Sequence, residues 1–253
     1  MYVQTDVIDA YMQERKIPDK NAWFYQYTNG CHIVFDNRQE VCQALLSECK
    51  RYDAFPLWNS TLAHALHIDA CDDIILYPVI GTQPSFDCRI VHHHQKTYLL
   101  VDLLHIADHT KTLKQMCYVL HHLCHQNLFK EKLYAMYPKP NTFHEQLSLR
   151  FFVEGIALYL SWNENHGAYV FQSKQYDTKK ERAFVLLFQA YEVKETSLQN
   201  MILQGLKHSD LWSRFPDIAG MFYLDDLYQE QGDKGIRLYF EQGIDQLFQR
   251  IFD

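Results

Sequence analysis

His121-His122-Leu123-Cys124-His125, with Glu154 following in Phe151-Phe152-Val153-Glu154-Gly155-Ile156-Ala157, decides how this chain of 253 residues is read. Leu113, Met116, Cys117, Leu120, Cys124 and Leu128 recur at intervals of three and four. That periodicity predicts an amphipathic helix from about Thr112 to Met136, ended by Pro138 and Pro140. On such a helix His121 and His125 stand one turn apart on one face, beside the apolar stripe. His122 is rotated by about 100° from His121 and lies at the flank. A carboxylate from a second helix would complete a three-ligand zinc site with one position open.

That second helix announces itself in Thr142-Phe143-His144-Glu145, a capping box in which hydroxyl and carboxylate satisfy orphan amides reciprocally. It is expected to run to about Trp162 and to carry Glu154 near its middle, among Phe151, Phe152, Val153, Ile156 and Ala157. An ionised carboxylate in that company is costly to bury unless it is paired or bound to metal. A lone inward histidine is most often a core residue bonded to a carbonyl; two at this spacing, with Glu154 on the next helix, favour metal.

Outward from this centre the chain changes character near Thr110. Residues 1–109 read as mixed: a helix-like stretch opens the chain, and Val41, Leu45, Leu46 and Cys49 predict a helix over 37–52 capped by Asp36 or Asn37. A short helix over 59–67 is opened by Ser60. Residues 73–80 are rich in β-branched side chains and read as a strand, with Pro78 placing it at a sheet edge or a bulge. Cys88 to His93 and Thr97 to Leu104 flank Gln95-Lys96 as a β-hairpin. Residues 110–253 read as helical, with further helices at Thr178–Tyr191, Ser197–Leu206, Ile218–Gln231 and Lys234–Phe252. The expected fold class is α+β, a small antiparallel sheet packed on a mainly helical body in one unit, with the hairpin beside the helix of His121.

Composition limits the function classes. Net charge is −7 and no basic stripe occurs, which points away from nucleic acid and from anionic membranes. No apolar run of 18 residues and no signal-peptide core is present. The seven cysteines contain no Cys-x-x-Cys pair and are odd in number, so reduced thiols in a cytoplasmic protein are expected. Fourteen histidines raise the prior for a metal site without locating it. His92-His93-His94 falls on a strand and alternates faces. His105 and His109 extend the site if their segment is helical. His144 is expected in solvent, His166 and Tyr159 are candidate oxyanion donors, and Cys124 belongs to the core.

The order of hairpin, His-x-x-x-His helix and capped helix with Glu154-Gly155-Ile156-Ala157 resembles the gluzincin-type zinc metallopeptidases over roughly residues 88–250. Ala219 to Tyr228, followed by Gly232, is similar to the late helix of such proteins. The resemblance implies a zincin-like body with zinc as cofactor, His121, His125 and Glu154 as its ligands, water as the fourth ligand, and a peptide or protein as substrate. Gly155 and Ala157 match the small residues that let helices approach closely. One position departs: where the family has the catalytic Glu, this chain has His122, which a neutral imidazole could fill as an altered base near pH 7. Glu145, Asp102 and Glu164 are candidate substitute carboxylates. The other outcome of the same resemblance is a catalytically inactive zincin-like protein used for peptide or protein binding.

Overall fold

The computed structural model describes residues 1–14, 22–27, 38–52, 57–68, 73–82, 88–108, 112–208, 210–241 and 244. Cys31, Cys71, His109, the expected caps Asp36 and Asn37, and the last expected helix beyond 244 lie outside the described residues. Along the chain run β1 (Tyr2–Val3), α1 (Asp6–Glu14), α2 (Gln39–Cys49), α3 (Ser60–Ala65), β2 (Ile74–Val79), β3 (Cys88–His93), β4 (Lys96–Asp102) and α4 (Leu103–Asp108). There follow α5 (Leu113–Ala135), α6 (Phe143–Leu149), α7 (Gly155–Ser161), α8 (Glu164–Gln172), α9 (Asp177–Tyr191), α10 (Thr196–His208), α11 (Phe215–Gln231) and α12 (Asp233–Glu241). The fold is α+β. None of the described helices is long and apolar enough to cross a membrane.

The chain divides into two compact units, residues 1–56 with 67–131, and 57–66 with 132–253. The division falls inside α5, after Glu131, rather than at the change of character near Thr110.

In the first unit the sheet has the order β1-β2-β4-β3. It is mixed rather than antiparallel throughout: β1 and β2 pair in parallel, as do β2 and β4, and only β3 with β4 is antiparallel. The expected hairpin is present, but its turn is His94-Gln95, both at positive φ (46° and 62°), one position earlier than read from sequence. Two positive φ values in a two-residue loop are those of a type I′ turn, whose twist matches that of the strands. The second strand ends at Asp102, where the carboxylate accepts from the amides of Leu104 and His105 and opens α4.

Both faces of the sheet are covered, which explains why β2 and β4 read as continuous apolar runs. Ile74, Leu76, Leu99 and Val101 meet Ile8 and Tyr11 of α1, Leu45 and Leu46 of α2, and Met116, Leu120, Cys124 and Leu128 of α5 in one core. Tyr77, Val79, Tyr98 and Leu100 face Phe24 and Tyr25 of a 3₁₀ turn, Trp23–Tyr27, on the other side. Pro78 pairs with Val101 of β4. β1 reaches only Ile75 and Leu76, so at Pro78 the opposite side of the strand is locally an edge.

The second unit is built on α11. Gly220 faces Gly155 so closely that a β-carbon on Gly155 would lie 2.7 Å from the Gly220 carbonyl carbon. The small residue singled out in the sequence therefore serves contact with α11. Around this crossing, α9 and α12 also pack on α11, and α10 packs on α6. The capping box forms as expected, with Thr142 and Glu145 bonded reciprocally to backbone amides. Asn59, not Ser60, caps α3 through its side chain, accepting from Leu62 N at 3.0 Å. α8 was not anticipated from the sequence; Asn163 caps it.

Candidate metal centre

α5 presents His121 and His125 on its buried side, 4% and 6% exposed, with ring centroids 6.4 Å apart. His125 Nδ1 lies 2.8 Å from the carbonyl oxygen of His121. A carbonyl only accepts, so Nδ1 carries the proton and the lone pair of the neutral ring is on Nε2. The ring stacks on Tyr52 at 4.1 Å. Burial pushes the His125 pKa down to about 3, overriding the carbonyl bond that favours the cation. Burial also lowers the His121 pKa, against the opposing pull of Glu48, whose Oε2 is 3.2 Å from His121 Nε2. Both imidazoles are thus neutral at neutral pH, the form in which histidine binds metal.

Glu48 is the residue that the sequence reading missed. It sits seven positions after Val41 on α2, on the same stripe as Leu45, so the signal was available. His122 is also buried, at 6% exposure, with its ring stacked on Tyr118 at 5.8 Å. Cys124 lies in the core, its sulfur 3.9 Å from that of Cys88 on β3, and His92 of the hairpin reaches Glu131 of α5 at 3.0 Å. The expected neighbourhood of hairpin and His121 helix is therefore present within the first unit.

Glu154 belongs to the second unit, where its helix is not purely α. Between α6 and α7 the residues Arg150–Glu154 form a π-turn, in which Gly155 N–H bonds to Arg150 O five residues back. Such turns are rare and recur at functional sites. Glu154 is 4% exposed and accepts at Oε1 from the Tyr134 hydroxyl at 3.0 Å. Burial first, and the Glu154 charge second, push the Tyr134 pKa well up, so the hydroxyl stays protonated and donates. Arg150 donates from Nε and Nη2 to the two oxygens of fully buried Asp217, at 3.0 and 2.6 Å. Burial alone would weaken the guanidinium charge, but Asp217 and Glu154 outweigh it and raise its pKa.

The candidate substitute carboxylates are committed elsewhere or exposed. Asp102 Oδ2 accepts from both the amide and the hydroxyl of Thr82, at 2.7 and 2.8 Å, while Oδ1 caps α4. Glu145 closes the capping box, and the amides of Asn141 and Thr142 hold its carboxyl below the usual range. Glu164 is exposed in the first turn of α8. His144 is half-buried rather than solvated, with Nε2 2.8 Å from the Tyr191 carbonyl oxygen. His166 is exposed beside its cap Asn163, and Tyr159 is fully buried. His93 stacks on Trp23 at 4.3 Å, a packing role.

Among the described residues no three His, Cys, Asp or Glu side chains already stand grouped as a metal cage. The donor chemistry of the pair on α5 nevertheless suits zinc: two neutral imidazoles one turn apart, one with its tautomer fixed by a backbone carbonyl. No protein family, no curated protein and no solved structure matches this chain.

Proposed function

We propose that this protein is a zinc-dependent hydrolase, a relative of the zincin-like metallopeptidases, acting in the cytoplasm on a peptide or protein. The observation that carries the reading is the pair His121 and His125 on the buried side of α5, with His125 Nδ1 tied to the His121 carbonyl. In this reading His121 and His125 hold zinc, and Glu154 is the third ligand by the resemblance of its Glu-Gly-x-Ala segment to that family. When bound, zinc supplies an activated water and polarises a carbonyl. Glu48 orients the His121 ring through Nε2, and His122 occupies the position of the general base. The free state of the described cysteines supports a reducing compartment.

A second reading is favoured by one observation: Asp102 and Glu145 are consumed by capping bonds and so are not available to replace the family's catalytic Glu. In that reading the scaffold binds zinc and a peptide or protein partner without turnover.

Metal analysis of the purified full chain tests the zinc claim. About one zinc per chain is expected from the one-site geometry, with loss of metal in His121→Ala/His125→Ala. A stoichiometry near zero with no change in melting temperature on adding zinc would overturn it. Peptide cleavage by wild type, His122→Ala and His122→Glu then separates the two readings. Cleavage by wild type and not by His122→Ala supports a working imidazole base. Cleavage by His122→Glu alone supports the inactive binder.

A further inference from the structure

We infer that the second unit carries a binding site for a small phosphomonoester, independent of the proposed zinc chemistry. A cavity of about 320 Å³ opens there beside α6 and α10. Arg150, Lys139 and Lys207 line it, and among the described residues no carboxylate does. In a chain of net charge −7, three cations from three elements around one cavity are not the average surface.

The three cations are not equivalent. Arg150 has its Nε and Nη2 edge held by Asp217, which is 0% exposed, so the guanidinium is fixed in place from beneath. Its other edge, Nη1 with the second Nη2 proton, has no acceptor among the described residues. That edge is a planar fork of the kind that matches phosphate oxygens bidentately. The Arg150–Asp217 pair is neutral as a whole and supplies directed donors. The charge comes from Lys139 and Lys207, exposed at the rim, neither of them in an ion pair among the described residues. With the buried Glu154 charge also beside Arg150, the two lysines still leave the surroundings net positive, which suits an anion with several acceptor oxygens for the fork and the lysines together.

The remaining wall sets the body of the ligand. Tyr137, Leu149 and Leu203 give the cavity an apolar side, suited to an aromatic or aliphatic group beside the phosphate. Glu145 lines the neighbouring cavity, but both amides it accepts from hold it in the capping box, so it does not reach across as a counter-charge. Lys139 stands between Pro138 and Pro140, whose fixed φ limits the freedom lost when the lysine engages an anion.

Phenyl phosphate is the probe, titrated into the full chain by calorimetry at matched ionic strength, with benzoate and inorganic phosphate as comparisons. Saturable binding of phenyl phosphate is expected, weakened about ten-fold in Lys139→Ala/Lys207→Ala from the loss of two exposed charge contacts. Benzoate and inorganic phosphate are each expected to bind more weakly, the first for its fewer acceptor oxygens and the second for lack of an apolar body. Arg150→Lys keeps a positive partner for Asp217 but removes the fork, and is expected to lose binding while retaining the wild-type circular dichroism spectrum. Absence of saturable binding, an unchanged affinity in the double lysine variant, or benzoate binding as tightly as phenyl phosphate would each overturn the proposal. Zinc content does not enter the measurement, so the site stands or falls apart from the hydrolase reading.

Discussion

The carbonyl oxygen of Phe151 stands 1.8 Å from the place a β-carbon on Gly220 would occupy. No rotamer change relieves a clash with backbone, so Gly220→Ala must push α11 away from the π-turn. A loss of at least about 3 kcal/mol is expected, at the upper end of overpacking costs. Gly205→Ala is the control: nothing lies within 4 Å of its β-carbon on α10, and a gain of about 0.5–1 kcal/mol follows from helix propensity. Urea denaturation of both variants checks the pair, and equal effects would contradict the contact.

Asp217→Ala removes one half of a buried ion pair and leaves the Arg150 charge without its partner. The cost is expected to be about 3–5 kcal/mol. Replacing both, as Arg150→Met/Asp217→Leu, is expected to recover only part of that loss, because Glu154 then loses the Arg150 charge beside it. A double variant as unstable as the single one would show that the pair does more than neutralise itself.

Thr142→Ala deletes the hydroxyl that accepts from Glu145 N at 3.2 Å. Loss of this cap is expected to cost about 1 kcal/mol, measured by thermal or urea unfolding. Glu145→Gln keeps the reach to the Asn141 and Thr142 amides and is expected to cost less than the threonine change.

Asp225 supplies a pH dependence. Burial pushes its carboxyl up to about 6, with Asp226 adding to the rise and Gln229 and Lys180 opposing it. The folded state therefore holds the proton more tightly than the unfolded chain does. Its contribution to stability is fully present below pH 4 and is lost as pH rises toward 6. The stability of wild type relative to Asp225→Asn is expected to fall by about 1–2 kcal/mol across that window, after allowance for solvent reaching the carboxylate. A flat difference from pH 4 to 7 would refute it.

What the sequence disclosed, and what it withheld, divides along physical lines. Local periodicity and capping chemistry are short-range, so α5, the capping box of Thr142 and Glu145, and the β3–β4 hairpin were legible nearly to the residue. The inward pair His121 and His125 followed from helical phase alone. Long-range pairings leave no local mark: the parallel match of β2 to β4 and the Arg150–Asp217 contact, 67 residues apart, could not be read. Nor could the π-turn, since a shift of backbone bonding from four residues to five alters no residue type. Pro78 was half-legible, because the edge it requires exists only along the part of β2 that β1 leaves uncovered. Glu48 leaves no apolar mark, being a half-buried carboxylate on a stripe whose other members, such as Leu45, are apolar.

The π-turn has a consequence for helix phase. In an α-helix, five residues carry the chain about 140° beyond a full turn, so Arg150 and Gly155 would point to different sides. The wider turn from Arg150 to Glu154 takes more residues to close and turns the two toward a common side. Asp217 and Gly220, three residues apart on α11, then meet them both, one by charge and one by bare backbone contact. The turn thus lets two residues five apart share a side, as residues four apart do in a regular α-helix.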